Sequence, residues 1–184
     1  MLHKVKKFVK QSFKQSGRDE NFEHFNRTVY WVRKIKPDAD EAIIIAAYAH
    51  DIARAFRKGD SKEAFKNVEF DDPKILSEHQ NEGAHIIGDF LHKENYDEQL
   101  INRIRNMVAH HEEGGDEESN LIKDADTISY LENNAEKHIK MIPFLGKDKI
   151  KRKIDWMYNR LSFDKAKLFA KPFYEKVLEL LDTT

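Results

Sequence analysis

Nine histidines and no cysteine occur in this 184-residue chain, so imidazole and carboxylate are the groups through which it could hold a metal. Their placement is ordered. His50 and Asp51 adjoin at the end of the longest apolar run, residues 42–49, where an ionised carboxylate is costly unless it is paired or bound to a cation. His24 lies on the segment before this run, and His79 and the pair His110 and His111 lie on the two segments after it. Asp126 interrupts an apolar helical face made by Ile122, Ala125 and Ile128. Brought to one point, these nitrogens and oxygens suit one or two divalent transition ions: Mn, Fe, Co, Ni or Zn. Each feature alone has a plainer meaning, as a polar pair, a helix cap or a solvated helix end favoured by the helix dipole. Their order on successive segments carries the chemistry.

The elements that must position them read as helices. Apolar residues recur at helical spacing through most of the chain, and with seven Gly and four Pro it is poor in turn residues. Charged residues make up 35%, against roughly 25% in a typical soluble domain. They nearly cancel, 32 Lys+Arg against 33 Asp+Glu, so nothing in the balance points to a nucleic-acid polymer or a membrane as partner. The expected fold is all-α, a single domain over 1–184 of about seven or eight helices. Its motif-bearing core covers about 20–135, with helices at about 147–182 packed on it. Val5, Phe8, Val9 and Phe13 give an amphipathic first helix that docks on the domain, its lysine face leaving a membrane-surface reading open. A second helix is expected from Asp19 to Lys36, and a third, capped by Asp38 or Asp40, carries EAIIIAAYAHDIARAF. A polar loop follows at 57–73, then helices at about 74–93, 96–112, 119–140, 147–161 and 163–182. Pro172 should kink the last one or mark a boundary. No run is long enough to span a bilayer, and no secretory signal is evident, so a cytoplasmic protein is expected.

The order His24, His50-Asp51, Asp126 resembles the His…His-Asp…Asp signature of the HD-domain metal-dependent phosphohydrolases. HFNRTV is similar to the family's His-x-x-Arg-Val, AAYAHDIAR to its Ala-Ala-x-x-His-Asp-Ile, and KDADTIS to its Asp-Ala-Asp-x-Leu. The resemblance covers about residues 20–135 and implies His24, His50, Asp51 and Asp126 as metal ligands, with Asp124 the near alternative to Asp126. EHQNEGAHIIGDFL and VAHHEEGG further resemble the two-metal, bis(5'-nucleosyl)-tetraphosphatase-like subgroup. That implies a second ion on His79 and His110 or His111, with Asp51 bridging and Gly83 leaving space for a metal or phosphate. No Gly-Tyr-Pro motif of the cyclic-dinucleotide branch occurs. The implied reaction is hydrolysis of a phosphate ester or anhydride of a nucleotide or small phosphorylated metabolite. Two alternatives share the ligand set: a di-iron oxygenase, and a non-catalytic module that binds a metal or ligand.

Asp51 is the expected anchor of the metal site and orients its water. Arg54, one helical turn on, can face the same cavity and grip a phosphate, or form an ion pair. Arg27 is either a second phosphate contact or a partner of Glu23. Ser129 and Asn133 follow Asp126 at helical spacing and either line the pocket or, the plainer reading, are helix polar positions. His3, His92 and His138 read as solvated, and His85 faces away from His79. The stripe Phe163, Leu168, Phe169, Phe173, Val177, Leu180 and Leu181 reads as core-facing. Specificity is expected from the 57–73 loop, the 112–119 turn and the C-terminal helices.

Overall fold

The structure, a computed structural model, describes residues 1–17, 22–57 and 68–184. Among these residues there are ten α-helices and no strand. They are α1 (Leu2–Ser16), α2 (Phe22–Ile35), α3 (Glu41–Ala49), α4 (Pro73–Lys93), α5 (Glu98–Ala109), α6 (Glu117–Asn133), α7 (Ala135–Ile139), α8 (Ile142–Leu145), α9 (Lys147–Asn159) and α10 (Asp164–Asp182). The class expected from sequence holds. The count exceeds it because α7 and α8 are short pieces. One was expected to continue the 119–140 helix; the other sits in the connection at Pro143 and Gly146. Asn133 and Asn134 divide α6 from α7, as expected of a side chain that competes for backbone hydrogen bonds.

Among the described residues, four aspartates start helices by accepting backbone N–H bonds: Asp40 from Ile43 (3.1 Å), Asp72 from Lys74 and Ile75, Asp97 from Leu100, and Asp116 from Ser119. Asp40, not Asp38, is therefore the cap of α3. The expected cap Asp19 and most of the 57–73 loop lie outside the described residues.

Burial explains the arrangement. Every residue from Ala42 to Ala49 is buried, so α3 runs through the centre of the bundle, packed against α1, α2, α5 and α6. Val5, Val9 and Phe13 bury the apolar face of α1, which docks as expected. One hydrophobic cluster then extends from Val5 to Leu181. The last helix corrects two expectations. It runs unbroken through Pro172, and Leu168 is 69% exposed with Leu180 also on the surface. Its buried residues are Ala166, Ala170, Val177 and Leu181, while Phe169 and Phe173 pack on the Trp31 ring.

The third helix is also shorter than expected. It ends at Ala49, and a 3₁₀ turn, Ile52–Ala55, takes over after Asp51. Asp51 itself lies at φ −97°, ψ 15°, in the sparsely occupied bridge region where many active-site residues are found. Helix α4 approaches this turn closely at Gly83. A Cβ there would stand 3.3 Å from Val108 Cγ1 and 3.4 Å from the His50 carbonyl oxygen. The glycine thus serves helix contact and leaves no room for a metal or phosphate, correcting the sequence reading. Gly→Ala inside a helix ordinarily stabilises by about 0.5–1 kcal/mol. Gly83→Ala should instead lower the urea midpoint, because crowding a packed contact costs about 1–3 kcal/mol. A raised midpoint would show that the contact yields.

Candidate metal centre

Five buried side chains from four parts of the chain meet beside the Asp51 turn: His24 (α2), His50 and Asp51 (after α3), His79 (α4), and His111 (after α5). Asp126 of α6 closes the group. His79 Nε2 lies 2.8 Å from Asp51 Oδ1. His50 Nε2 lies 3.5 Å from Asp51 Oδ2 and 3.3 Å from Asp126 Oδ1. His24 Nε2 lies 3.1 Å from Asp126 Oδ1 and 3.9 Å from Asp51 Oδ2. His111 Nε2 is 3.9 Å from Asp51 Oδ1. Two ligand groups follow, His24/His50/Asp51 and Asp51/His79/His111, each with its donor atoms within 4.8 Å of one another. They share Asp51.

Hydrogen bonds on the far side of the rings set their orientation. His50 Nδ1 donates to the Ala47 carbonyl (2.8 Å) and His111 Nδ1 to that of Val108 (2.7 Å). Ser129 Oγ donates its proton to the His24 carbonyl (2.9 Å), so it accepts from His24 Nδ1 (2.8 Å). In all three rings the neutral form therefore keeps its lone pair on Nε2, facing inward. Ser129 is thus a positioning residue rather than a bland helix position. Asn133, bonded to the Ser129 carbonyl, is the bland one.

The electrostatics favour a cation. Burial opposes charge on Asp51, yet Arg54, His50 and His79 hold its carboxyl well below the usual range. Asp126 is likewise held low against burial by His24, His50 and Arg160. Burial alone would lower His50, but Asp51 and Asp126 push it up to about 9. Burial, helped by His50 and His79, takes His111 down to about 4 and keeps it neutral. Among the described residues, four buried atoms of the cluster have no hydrogen-bond partner: His50 Nε2, Asp51 Oδ2, His111 Nε2 and, on the other side of its ring from Asp51, His79 Nδ1. Orphaned buried donors and acceptors are expensive. Divalent ions would satisfy the first three, so the residues fit the group that the sequence implies.

Position distinguishes the other candidate residues from one another. His110 is exposed and bonded to the Asn106 carbonyl (2.8 Å), so of the pair only His111 reaches the cluster. Asp124 accepts the backbone N–H groups of Ser162 and Phe163 at 2.8–3.0 Å and anchors the start of α10, whereas Asp126 faces the histidines. Arg54 lies 3.0 Å from Asp51 Oδ1 through Nε, with its side chain 42% exposed. It touches both the cluster and the outside. Arg27 is bound in two-pronged fashion to Glu132 (2.8 and 2.8 Å), not to Glu23. His138, expected to be solvated, is half-buried, bonds the Tyr130 hydroxyl (2.8 Å) and is driven by burial down to about 3. His3, His85 and His92 are exposed as expected.

Sequence reasoning missed Arg160, Glu112 and Gln80. From the end of α9, Arg160 binds Asp126 Oδ2 (2.6 Å), Thr127 Oγ1 (2.8 Å) and the Glu112 carboxylate. That cation brings buried Glu112 down to about 2 against the upward pull of burial. Gln80 Oε1 accepts from the Glu112 N–H (2.8 Å). Glu112 adjoins the His pair and gave a signal, but NRLSFD around Arg160 carries none.

No curated protein gives a significant match. The fold is similar to the crystal structure of a predicted HD superfamily hydrolase from an uncultured Thermotogales bacterium. The likeness has a TM-score of 0.61 at 20% identity and covers 99% of this chain and 90% of that one. It shows that the two chains share an all-helical fold. At the level of sequence, the family described as Domain of unknown function (DUF4202) matches residues 6–178, nearly the whole chain, and this protein belongs to it.

Proposed function

We propose that this protein is a metal-dependent phosphohydrolase that cleaves a phosphate ester or anhydride of a nucleotide or small phosphorylated metabolite. The observation that carries the reading is one buried carboxylate, Asp51, shared by two His groups, with Asp51 Oδ2, His50 Nε2 and His111 Nε2 lacking a hydrogen-bond partner. His24, His50 and Asp126 would hold one ion with Asp51, and His79 and His111 a second. Bound there, divalent ions lower the pKa of water towards neutrality and stabilise charge on a phosphoryl group. The protein's own groups then set the geometry. Ser129, Ala47 and Val108 aim three imidazoles inward, and Arg160 holds one oxygen of Asp126 so that the other faces the histidines. Arg54 reaches the same carboxylate from the exposed side, where its guanidinium can take a phosphate in exchange. Such a cation at the mouth suits a phosphate better than the small organic substrate of an oxygenase. The similar Thermotogales protein, a predicted HD superfamily hydrolase, supports hydrolysis as the reaction class.

The test is elemental analysis of unchelated protein alongside turnover of p-nitrophenyl phosphate. About two transition ions per chain are expected, as in two-metal hydrolases, with His79→Ala losing the second and keeping the first. Equal stoichiometry before and after would remove the second site. No metal even after reconstitution with Mn, Co or Ni would leave a non-catalytic module.

A further inference from the structure

Beside the metal centre lies a cavity of about 210 Å³ lined by Phe70, Lys149, Arg152, Lys153 and Trp156 together with two carboxylates, Glu69 and Asp71. Two of its three cations are spent. Lys149 donates to the Val68 carbonyl (2.7 Å) and pairs with Glu69 (3.8 Å), and Arg152 pairs with Glu69 (3.2 Å). Lys153 differs. Its Nζ is held among three rings, Trp156 at 4.3 Å, Phe70 at 5.5 Å and Tyr130 at 5.7 Å from their centroids. Among the described residues it makes no hydrogen bond and no ion pair. Ring faces attract the charge, but they accept none of the three N–H groups in the way an oxygen does. The nearby carboxylates Glu112 and Asp126 are already taken by Arg160. Burial pushes this ammonium down to about 8, despite those carboxylates.

The cavity is coupled to the centre through one side chain. The Arg160 guanidinium that binds Asp126 lies 4.7 Å from the Trp156 ring centroid, and Lys153 lies over the same ring. A half-buried ammonium that must share its nearest carboxylates with Arg160 and has no hydrogen-bond acceptor of its own is costly in a fold, and costly groups persist where function needs them.

We propose that Lys153 is the binding charge of an oxyanion subsite adjoining the His/Asp centre, and that the substrate carries a second anionic group, a phosphate or a carboxylate, that docks there. That this ligand is part of a substrate rests on the phosphohydrolase reading; the anion site itself does not. It follows that a substrate carrying both anions should have a lower KM than p-nitrophenyl phosphate, which on the same reading is turned over but carries one.

The experiment uses the full chain after chelation, so that no metal contributes, and titrates inorganic phosphate and acetate calorimetrically. Lys153→Met should weaken binding at least tenfold, while Lys153→Arg retains it. Stronger binding of phosphate identifies a second phosphate, and stronger binding of acetate a carboxylate. A second readout needs no variant. Limiting acetic anhydride should modify Lys153 of the unaltered protein, and phosphate or acetate should protect it. Failure of the wild-type protein to bind either anion, or equal binding by Lys153→Met, overturns the subsite. Metal content and p-nitrophenyl phosphate turnover, measured on separate samples, report on the phosphohydrolase reading alone.

Discussion

Asp51→Asn protein should fold, retain its helix content and lose both transition ions together, with no residual turnover of a phosphoester. The expectation follows from sharing. Both ligand groups contain Asp51, whereas each histidine belongs to one of them. Losing an outer partner of a metal ligand typically costs 10–100-fold in affinity, and loss of a shared ligand should exceed that at both positions. The amide is the appropriate variant. Asp51→Ala would leave an empty space against His79 (2.8 Å) and Arg54 (3.0 Å), with a buried cluster of imidazoles facing no carboxylate on that side. Removing one partner of a buried charge pair costs about 3–5 kcal/mol, so a loss of metal in the alanine protein could be read as a loss of fold. In Asp51→Asn the shape is kept and only the charge goes. Elemental analysis and circular dichroism on the same sample check both halves, and a metal-loaded, active Asp51→Asn protein would falsify the assignment.

The parts of this centre that were legible in the sequence are those where a polar residue breaks an apolar pattern. His50-Asp51 closes a run with eight successive buried residues, Ala42 to Ala49, and Asp126 sits among Ile122, Ala125 and Ile128, all fully buried. Such exceptions to burial stand out because a charge there needs a partner. Which member of His110 and His111 turns inward was not legible. It depends on α5 ending at Ala109 and on the backbone of His110 leaving the helix at φ −129°, ψ 17°, and helix ends are the least determined feature of a periodic pattern. Arg160 was illegible for another reason. It meets Asp126 across 34 positions of sequence, in a segment whose neighbours resemble any charged helix end. Leu168 shows the converse error. An apolar residue at the right spacing was read as core and lies on the surface, as many apolar side chains do.

Arg160→Met should be the most destabilising single substitution at the centre's edge, costing about 3–5 kcal/mol in chelator-treated protein. Its side chain is only 7% exposed and serves two carboxylates at once, Glu112 and Asp126. Without it both remain buried, and burial disfavours charge on each. Adding Glu112→Gln to the methionine variant should recover part of the loss, since an amide is far cheaper to bury than an unpaired carboxylate. In the wild-type background the same Glu112→Gln change removes a paired charge and should destabilise. That reversal of sign, read from urea midpoints of the four proteins in a double-mutant cycle, separates a true charge pair from simple packing of the Arg160 stem. Packing alone would make the two substitutions additive. Metal affinity supplies the second axis. With Arg160 gone, Asp126 loses the group that holds its Oδ2, and its Oδ1 is no longer fixed towards His24 and His50. A 10–100-fold weaker first ion is expected, as for other groups that orient a ligand. The His79/His111 group does not include Asp126, so its ion should bind as before. Equal loss at both groups would mean that Arg160 supports the fold of the centre as a whole rather than the orientation of Asp126.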